Sequence, residues 1–164
     1  MVEEAEALNG VANCYRAQGQ NQKAIEIYRQ ALDVATAWGD LRGQAEALNG
    51  LGWANSNQDK NDEALEFHSR ALPLAVEAAD IDLQASIVNR IALVYDATED
   101  REKALKTYNE ALDLWRAAGD RRGEGATLGN IGIVYAEQGD KLTALKYLKL
   151  ALPLATAPAP PRRC

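Results

Sequence analysis

The chain has 164 residues, of which 47% are hydrophobic and 26% charged, a composition typical of folded globular domains rather than of disordered or membrane-spanning chains. Its formal net charge of −6 argues against binding to nucleic acid or to an anionic membrane surface, because both need a basic face. The two cysteines, Cys14 and Cys164, are too few for a disulfide framework, and no signal peptide is evident. We therefore expect a cytoplasmic setting.

From the first residues onward the sequence repeats itself with a period of 40 residues. The stretch Leu8–Ala12 recurs as Leu48–Gly52, Val88–Ala92 and Leu128–Gly132, with no insertion or deletion between copies. A fixed period of this size is typical of proteins in which each repeat is one supersecondary unit. We expect four repeats, at about 1–40, 41–80, 81–120 and 121–156.

Each repeat is predicted to contain two helices. In the first repeat Leu8, Val11 and Tyr15 recur at helical spacing on one face, which predicts the first helix. Ala24 and Tyr28 belong to a similar face, which predicts the second helix. One such helix pair cannot bury its apolar face alone, so neighbouring repeats are expected to complete the core.

Turn residues separate the predicted helices. Pairs such as Gly39-Asp40 and Gly119-Asp120 combine a left-handed C-cap with an N-cap for the next helix. Residues 157–164 are rich in proline and are expected to be a disordered tail. The predicted fold is all-α, a right-handed α-solenoid over 1–156 with helices near 3–18, 21–38, 41–57, 61–78, 81–97, 101–118, 121–138 and 141–156.

Some single positions stand out from the repeat pattern. Trp38 and Trp115 lie near the ends of second helices and are expected to cover the stack between repeats, with an exposed contact patch as the alternative. In the second repeat Asn55 stands where the other repeats have tyrosine, and His68 stands where the first and third repeats have tyrosine. The packing of this repeat is therefore looser or its surface specialised. Cys14 aligns with alanine and valine and is expected to be buried.

The order of recurring residues in the unit resembles the tetratricopeptide repeat. The first helix has Leu, then Ile or Val, then Gly or Ala, and then Tyr, and the second helix has Ala, Tyr and Ala. The 40-residue unit is similar to the longer-helix subclass found in kinesin light chains and in bacterial signalling proteins. This resemblance implies a scaffold whose first helices line a concave groove that binds a peptide or a segment of a partner protein. It also implies that the chain is part of a larger bacterial signalling or regulatory protein.

The resemblance also implies which residues line the groove. Asn9, Asn49 and Asn89 recur at one position and match the asparagine ladder by which kinesin-light-chain-like arrays bind a peptide backbone. The alternative is that these asparagines bond to the neighbouring helix and hold the stack. Trp53 is expected on the groove wall, with packing between helices as its alternative. The full set of expected groove residues is Asn9, Asn13, Arg16, Glu46, Asn49, Trp53, Asn89, Leu93, Asp96 and Ile133.

The expected ligand follows from the character of this set. Leu93 and Ile133 extend an apolar floor, while charge at the rim comes from Glu6, Arg16, Glu46 and Asp96. A peptide with apolar anchors and some basic character is the natural partner.

No catalytic, metal or cofactor site is predicted. His68 is the only histidine and has no nucleophile or second metal ligand at a matching spacing. Two other functions remain open, a ligand-sensing regulatory domain for a small molecule or signalling peptide and a self-associating structural spacer. The last predicted helix has no polar capping helix after it and carries four leucines on or near one side, Leu145, Leu148, Leu152 and Leu154. We therefore expect either a fragment of a longer array or homo-oligomers formed through this uncapped helix.

Overall fold

The computed structural model describes residues 2–155, and this range contains eight α-helices and no strand. The predicted all-α fold class is confirmed, and each predicted helix boundary within this range lies within one residue of the observed one. The predicted tail at 157–164 lies outside the described residues. The helices are α1 (Val2–Ala17), α2 (Asn21–Ala37), α3 (Leu41–Ser56), α4 (Asn61–Glu77), α5 (Ile81–Ala97), α6 (Arg101–Ala118), α7 (Arg121–Glu137) and α8 (Lys141–Ala155).

The turns between helices have the predicted cap geometry. Gly39 and Gly119 adopt left-handed φ angles of 66° and 76°, which glycine reaches without steric cost. The following aspartates cap the next helix, since Asp40 Oδ1 accepts a hydrogen bond from the Gly43 amide at 3.0 Å. Asp120 accepts one from the Gly123 amide at the same distance, 3.0 Å. These local bonds explain why the helices begin where the sequence places them.

Within residues 2–155 the helices form two compact units, residues 2–83 and 84–155. In the first unit α1 packs on α2 and α3, and α3 packs on α2 and α4. In the second unit α7 packs on α6 and α8. Thus α2 and α6, each the second helix of its repeat, pack on the first helix of the next repeat.

Large rings pack against glycine where these helices meet. The Tyr28 ring of α2 occupies the space that a Cβ atom on Gly50 of α3 would need. Trp115 of α6 lies in the same way against Gly123 of α7, so its predicted role in covering the junction between repeats is confirmed. Glycine permits this approach because it has no side chain between the two helices.

The two unusual residues of the second repeat are both buried. His68 is fully buried, and its imidazole fills the space beside Gly52. Asn55 Nδ2 donates a hydrogen bond to the Leu51 carbonyl one turn earlier in α3, at 2.8 Å. The buried amide nitrogen of Asn55 therefore has a hydrogen-bond partner in its own helix. Asparagine can occupy this position without leaving that donor unsatisfied.

Three expectations about burial are wrong. Trp38 follows the last turn of α2 and is 63% exposed, so it does not cover the stack. Val11 is 46% exposed although its counterpart Leu51 is buried, and Cys14 is only half-buried. The reason for Val11 and Cys14 is that the described helices packed on α1 leave this side of it uncovered.

Candidate functional site

The ten residues predicted to line the groove are called here the inner stripe, and both units carry some of them on the first helices of their repeats. Six lie in the first unit, on α1 and α3, and four lie in the second unit, on α5 and α7. The first unit holds Asn9, Asn13, Arg16, Glu46, Asn49 and Trp53, and the second holds Asn89, Leu93, Asp96 and Ile133.

Asn9 links α1 to α3. It is only 3% exposed, and its Nδ2 donates a hydrogen bond to the Gly43 carbonyl at 3.2 Å. This contact is the packing role that the sequence left as the alternative for the asparagine column. The Oδ1 atoms of Asn9 and Asn49 occupy equivalent positions 40 residues apart, and both are buried without a hydrogen-bond partner among the described residues.

Asn13 is exposed on α1, yet a neighbouring helix fixes its side chain. The Tyr28 hydroxyl of α2 donates a hydrogen bond to Asn13 Oδ1 at 2.7 Å. This bond uses one of the two acceptor positions of the oxygen and fixes the orientation of the Asn13 amide.

Arg16 and Trp53 are brought together across α1 and α3. The guanidinium carbon Cζ of Arg16 lies 3.2 Å from the centroid of the Trp53 ring. Both side chains are half-buried, so a cation–π contact of this kind is less weakened by water than an exposed one. The predicted groove wall therefore has a cation stacked on its aromatic residue.

Glu46 belongs to a charged cluster on α3. Its Oε1 lies 3.1 Å from an Arg42 nitrogen, and Arg42 Nε lies 2.9 Å from Asp80 Oδ2. Burial raises the pKa of Glu46 above its usual value, the Arg42 charge opposes this rise, and Glu6 and Asp80 add to it. The carboxylate is therefore costly to keep ionised, although it has a partner.

Glu46→Gln is expected to change how stability depends on pH. Because the pKa of Glu46 is raised in the folded state, the folded chain keeps this proton at pH values where the unfolded chain has lost it. The contribution of Glu46 to the free energy of unfolding therefore falls as pH rises through the folded-state pKa. The variant lacks this loss, while Arg42 keeps its contact with Asp80. Urea unfolding measures the free energy of unfolding of both proteins. The variant's value minus the wild-type value should increase from about pH 4 to about pH 7. A difference that stays constant with pH would contradict this account.

In the second unit Asn89 also connects neighbouring repeats. Its Oδ1 accepts a hydrogen bond from the Thr127 hydroxyl of α7 at 3.0 Å. Thr127 is fully buried, and its hydroxyl also lies 3.0 Å from the Gly123 carbonyl. Like Asn9, Asn89 therefore has a packing contact with the neighbouring repeat.

The other inner-stripe residues of this unit are partly exposed. Leu93 is half-buried against the core, and Ile133 is 50% exposed. The Oδ1 atom of Asp96 is buried without a hydrogen-bond partner among the described residues. Burial first, and then the Glu137 charge, raise the pKa of Asp96, while Arg101 opposes them. This part of the stripe combines an apolar surface with an unsatisfied acceptor.

Tyr108 is a residue of this region that sequence reasoning missed. It is fully buried, and its hydroxyl has no hydrogen-bond partner among the described residues. Burial and then the Asp96 charge raise the pKa of this hydroxyl. A signal was present in the sequence, because Leu93 stands at the repeat position where Asn13 accepts the hydrogen bond from Tyr28.

A second feature that sequence reasoning missed is a cleft of about 840 Å³ formed by α2, α3 and α4. Its apolar lining includes Leu32, Leu48 and Leu74, and Asp33 and Arg70 add charge. Its volume is in the range of small-molecule pockets.

The described residues contain no group of three or more His, Cys, Asp or Glu side chains that could hold a metal ion. As for membranes, none of the helices in the described part of the chain combines the length and apolar character needed to span one. What the inner stripe offers chemically is hydrogen-bond acceptors, amide donors and apolar contacts.

Several solved structures have a similar fold. BtubC (BKLC) from P. vanneervenii is 23% identical, with a TM-score of 0.78, over 98% of this chain and 68% of that one. A Rap protein complexed with Competence and Sporulation Factor is 17% identical, with a TM-score of 0.87, over 94% of this chain and 43% of that one. Aspartyl phosphate phosphatase F from Bacillus subtilis is 14% identical, with a TM-score of 0.85, over 94% and 40%.

These identities establish a shared fold only, and the chain spans less than half the length of the Rap protein and of the phosphatase. No curated protein sequence matches the chain significantly. A family model does, since the model of the tetratricopeptide repeat matches residues 3–75 and 83–157. The match includes both units and nearly the whole described range, and the chain therefore belongs to the tetratricopeptide repeat family.

Proposed function

We propose that the chain is a non-catalytic interaction module that binds extended peptide segments of a partner protein through the inner-stripe residues of each unit. The observation that carries this proposal is the pair of buried, unpartnered Oδ1 atoms of Asn9 and Asn49 at equivalent repeat positions. A buried acceptor without a donor costs free energy, and the N–H groups of a peptide backbone would supply donors at both places.

The character of the stripe supports a ligand with apolar anchors and basic groups. In the first unit Trp53 offers an apolar contact and Glu46 an acidic one. In the second unit Leu93 and Ile133 offer apolar contacts and Asp96 an acidic one. The structure of the Rap protein with Competence and Sporulation Factor supports a binding role for helices arranged in this way. The proposal also includes that the chain is part of a larger bacterial signalling protein and lies in the cytoplasm.

The test uses a peptide selected against the wild-type chain from a library of random displayed 12-residue peptides. Asn49→Ala combined with Trp53→Ala should weaken its binding by about tenfold or more, because the change removes an acceptor and an aromatic anchor. Trp38→Ala is the matched control, since Trp38 is an exposed tryptophan that directly follows a second helix. Titration calorimetry gives the affinities.

Two results would overturn the proposal. One is a selection that enriches no peptide above a scrambled pool. The other is an affinity that the double variant leaves unchanged. If Arg70→Ala weakens binding instead, the cleft formed by α2, α3 and α4 holds the site, as expected for a ligand-sensing domain.

We also propose that the 164-residue chain self-associates head to tail, with α8 of one copy packed on α1 of another. On α8 the exposed apolar residues include Leu142, Leu145 and Leu152, and this helix contains three lysines and no acidic residue. The first helix is acidic in its first turn and exposes Val2 and Val11. Such a contact would repeat the way in which α2 packs on α3.

Light scattering after size-exclusion chromatography tests this second proposal. The mass is expected to rise with protein concentration and to fall with added salt, because opposite charges meet at the interface. Leu142→Glu combined with Leu145→Glu should give a monomer at every concentration, while Val76→Glu, an exposed position on α4, should not. A monomeric mass for the wild type at high concentration would contradict self-association.

A further inference from the structure

Tyr28 and Tyr108 occupy the same repeat position, but their hydroxyl groups differ in hydrogen bonding. The Tyr28 hydroxyl donates to Asn13 Oδ1 at 2.7 Å. The Tyr108 hydroxyl has no hydrogen-bond partner among the described residues, although the residue is fully buried. At the position of Asn13 the third repeat has Leu93, which offers no acceptor. A buried hydroxyl in this state destabilises the ligand-free chain.

The repeat places the Tyr108 hydroxyl toward the inner stripe. Tyr28 reaches Asn13, an exposed residue of α1, and the equivalent direction from Tyr108 leads toward Leu93 on α5. Asp96, one turn further along α5, also has an unpartnered buried oxygen, Oδ1. One donor and one acceptor therefore lack partners in the same region of the second unit.

The charges in this region select the kind of ligand group. The carboxylates of Asp96 and Glu137 and the guanidinium group of Arg90 all act electrostatically on the Tyr108 hydroxyl. Two carboxylates disfavour an anionic acceptor such as a ligand carboxylate. A neutral carbonyl is free of this repulsion, and an amide carries both the carbonyl for Tyr108 and an N–H for Asp96.

We propose that the Tyr108 hydroxyl donates a hydrogen bond to an amide carbonyl of the bound peptide, while Asp96 accepts an N–H group from the same ligand. This inference rests on the proposed function and adds a specificity-determining residue outside the inner stripe. Because the hydroxyl is covered in the ligand-free chain, binding requires the side chains above it to move aside.

The first measurement needs no ligand. Tyr108→Phe removes only the hydroxyl, and its Tm should equal or exceed that of the wild type, because a buried unpartnered group is lost. Tyr28→Phe should lower the Tm, because it removes a hydrogen bond. If Tyr108→Phe lowers the Tm as much as Tyr28→Phe does, the hydroxyl has a partner within the chain and the proposal is overturned.

The second measurement uses the selected 12-residue peptide. Tyr108→Phe should lower its affinity about tenfold. Leu93→Asn, which rebuilds the pair formed by Asn13 and Tyr28, should lower it as well, because the chain then satisfies the hydroxyl itself. The control is Tyr147→Phe, a tyrosine of α8 stacked on Tyr135, and it should leave the affinity unchanged.

The outcomes separate this inference from the proposed function. If Tyr108→Phe keeps full affinity while Asn49→Ala with Trp53→Ala loses it, this inference is wrong and the proposed function stands. If neither change affects binding, or no peptide is enriched, both are wrong. Replacing each Asn or Gln of the peptide by Ala identifies which carbonyl accepts the bond. If one replacement abolishes the effect of Tyr108→Phe, the carbonyl belongs to that side chain. If none does, it belongs to the peptide backbone.

Discussion

Trp115→Ala is expected to lower the free energy of unfolding by about 2 to 3 kcal/mol. The indole ring lies against Gly123, so its removal leaves a cavity between α6 and α7 that a glycine has no side chain to fill. The estimate stays below the usual cost of a tryptophan deletion because Trp115 is only half-buried and its Nε1 has no hydrogen-bond partner among the described residues.

Trp38→Ala is the matched control, because Trp38 also lies near the end of a second helix but is 63% exposed. It should change the free energy of unfolding by less than about 0.5 kcal/mol. Urea unfolding followed by circular dichroism measures both variants. Equal losses in the two variants would mean that Trp115 does not hold α6 and α7 together.

Gly50→Ala is expected to lower the free energy of unfolding by about 2 kcal/mol, although alanine is the better helix former. The added methyl group would overlap the Tyr28 ring, which fills the space beside Gly50. Tyr28 is 1% exposed and its hydroxyl is bonded to Asn13, so the ring has little freedom to move away. Overpacking therefore outweighs the gain in helix propensity.

The control for this change is Gly10→Ala, at the same position of the first repeat. A Cβ atom there meets nothing within 4 Å. The substitution should therefore raise the free energy of unfolding by up to about 1 kcal/mol, through helix propensity alone. The two substitutions should therefore change the free energy of unfolding in opposite directions at equivalent positions. Thermal unfolding of the two variants measures both changes. The same sign in both would show that the α2–α3 contact does not govern the effect.

The helices could be predicted because their signals are local. The caps at Asp40 and Asp120 lie within three residues of the amides that they bind, so the sequence alone reveals them. The exposure of Trp38 could not be predicted in this way. It depends on whether another helix lies beyond the end of α2, and its local pattern resembles that of Trp115.

The candidate site was predicted only in outline for a related reason. Helical spacing places Asn9 on the inner stripe, but it does not show that α3 brings the Gly43 carbonyl within 3.2 Å of the side chain. Spacing also aligns Tyr28 with Tyr108 and cannot show which hydroxyl is satisfied. That difference depends on a side chain of another helix, Asn13 in one repeat and Leu93 in the other.

The contact between Arg16 and Trp53 gives the first unit an optical reporter of its own. Indole emission responds to a charge above the ring, and here the guanidinium carbon lies 3.2 Å from the ring centroid. A movement of α1 relative to α3 would change that separation and with it the emission of one of the three tryptophans. Replacing Trp38 and Trp115 by phenylalanine would isolate this signal, so that the spacing of two repeats could be followed in time without an attached dye.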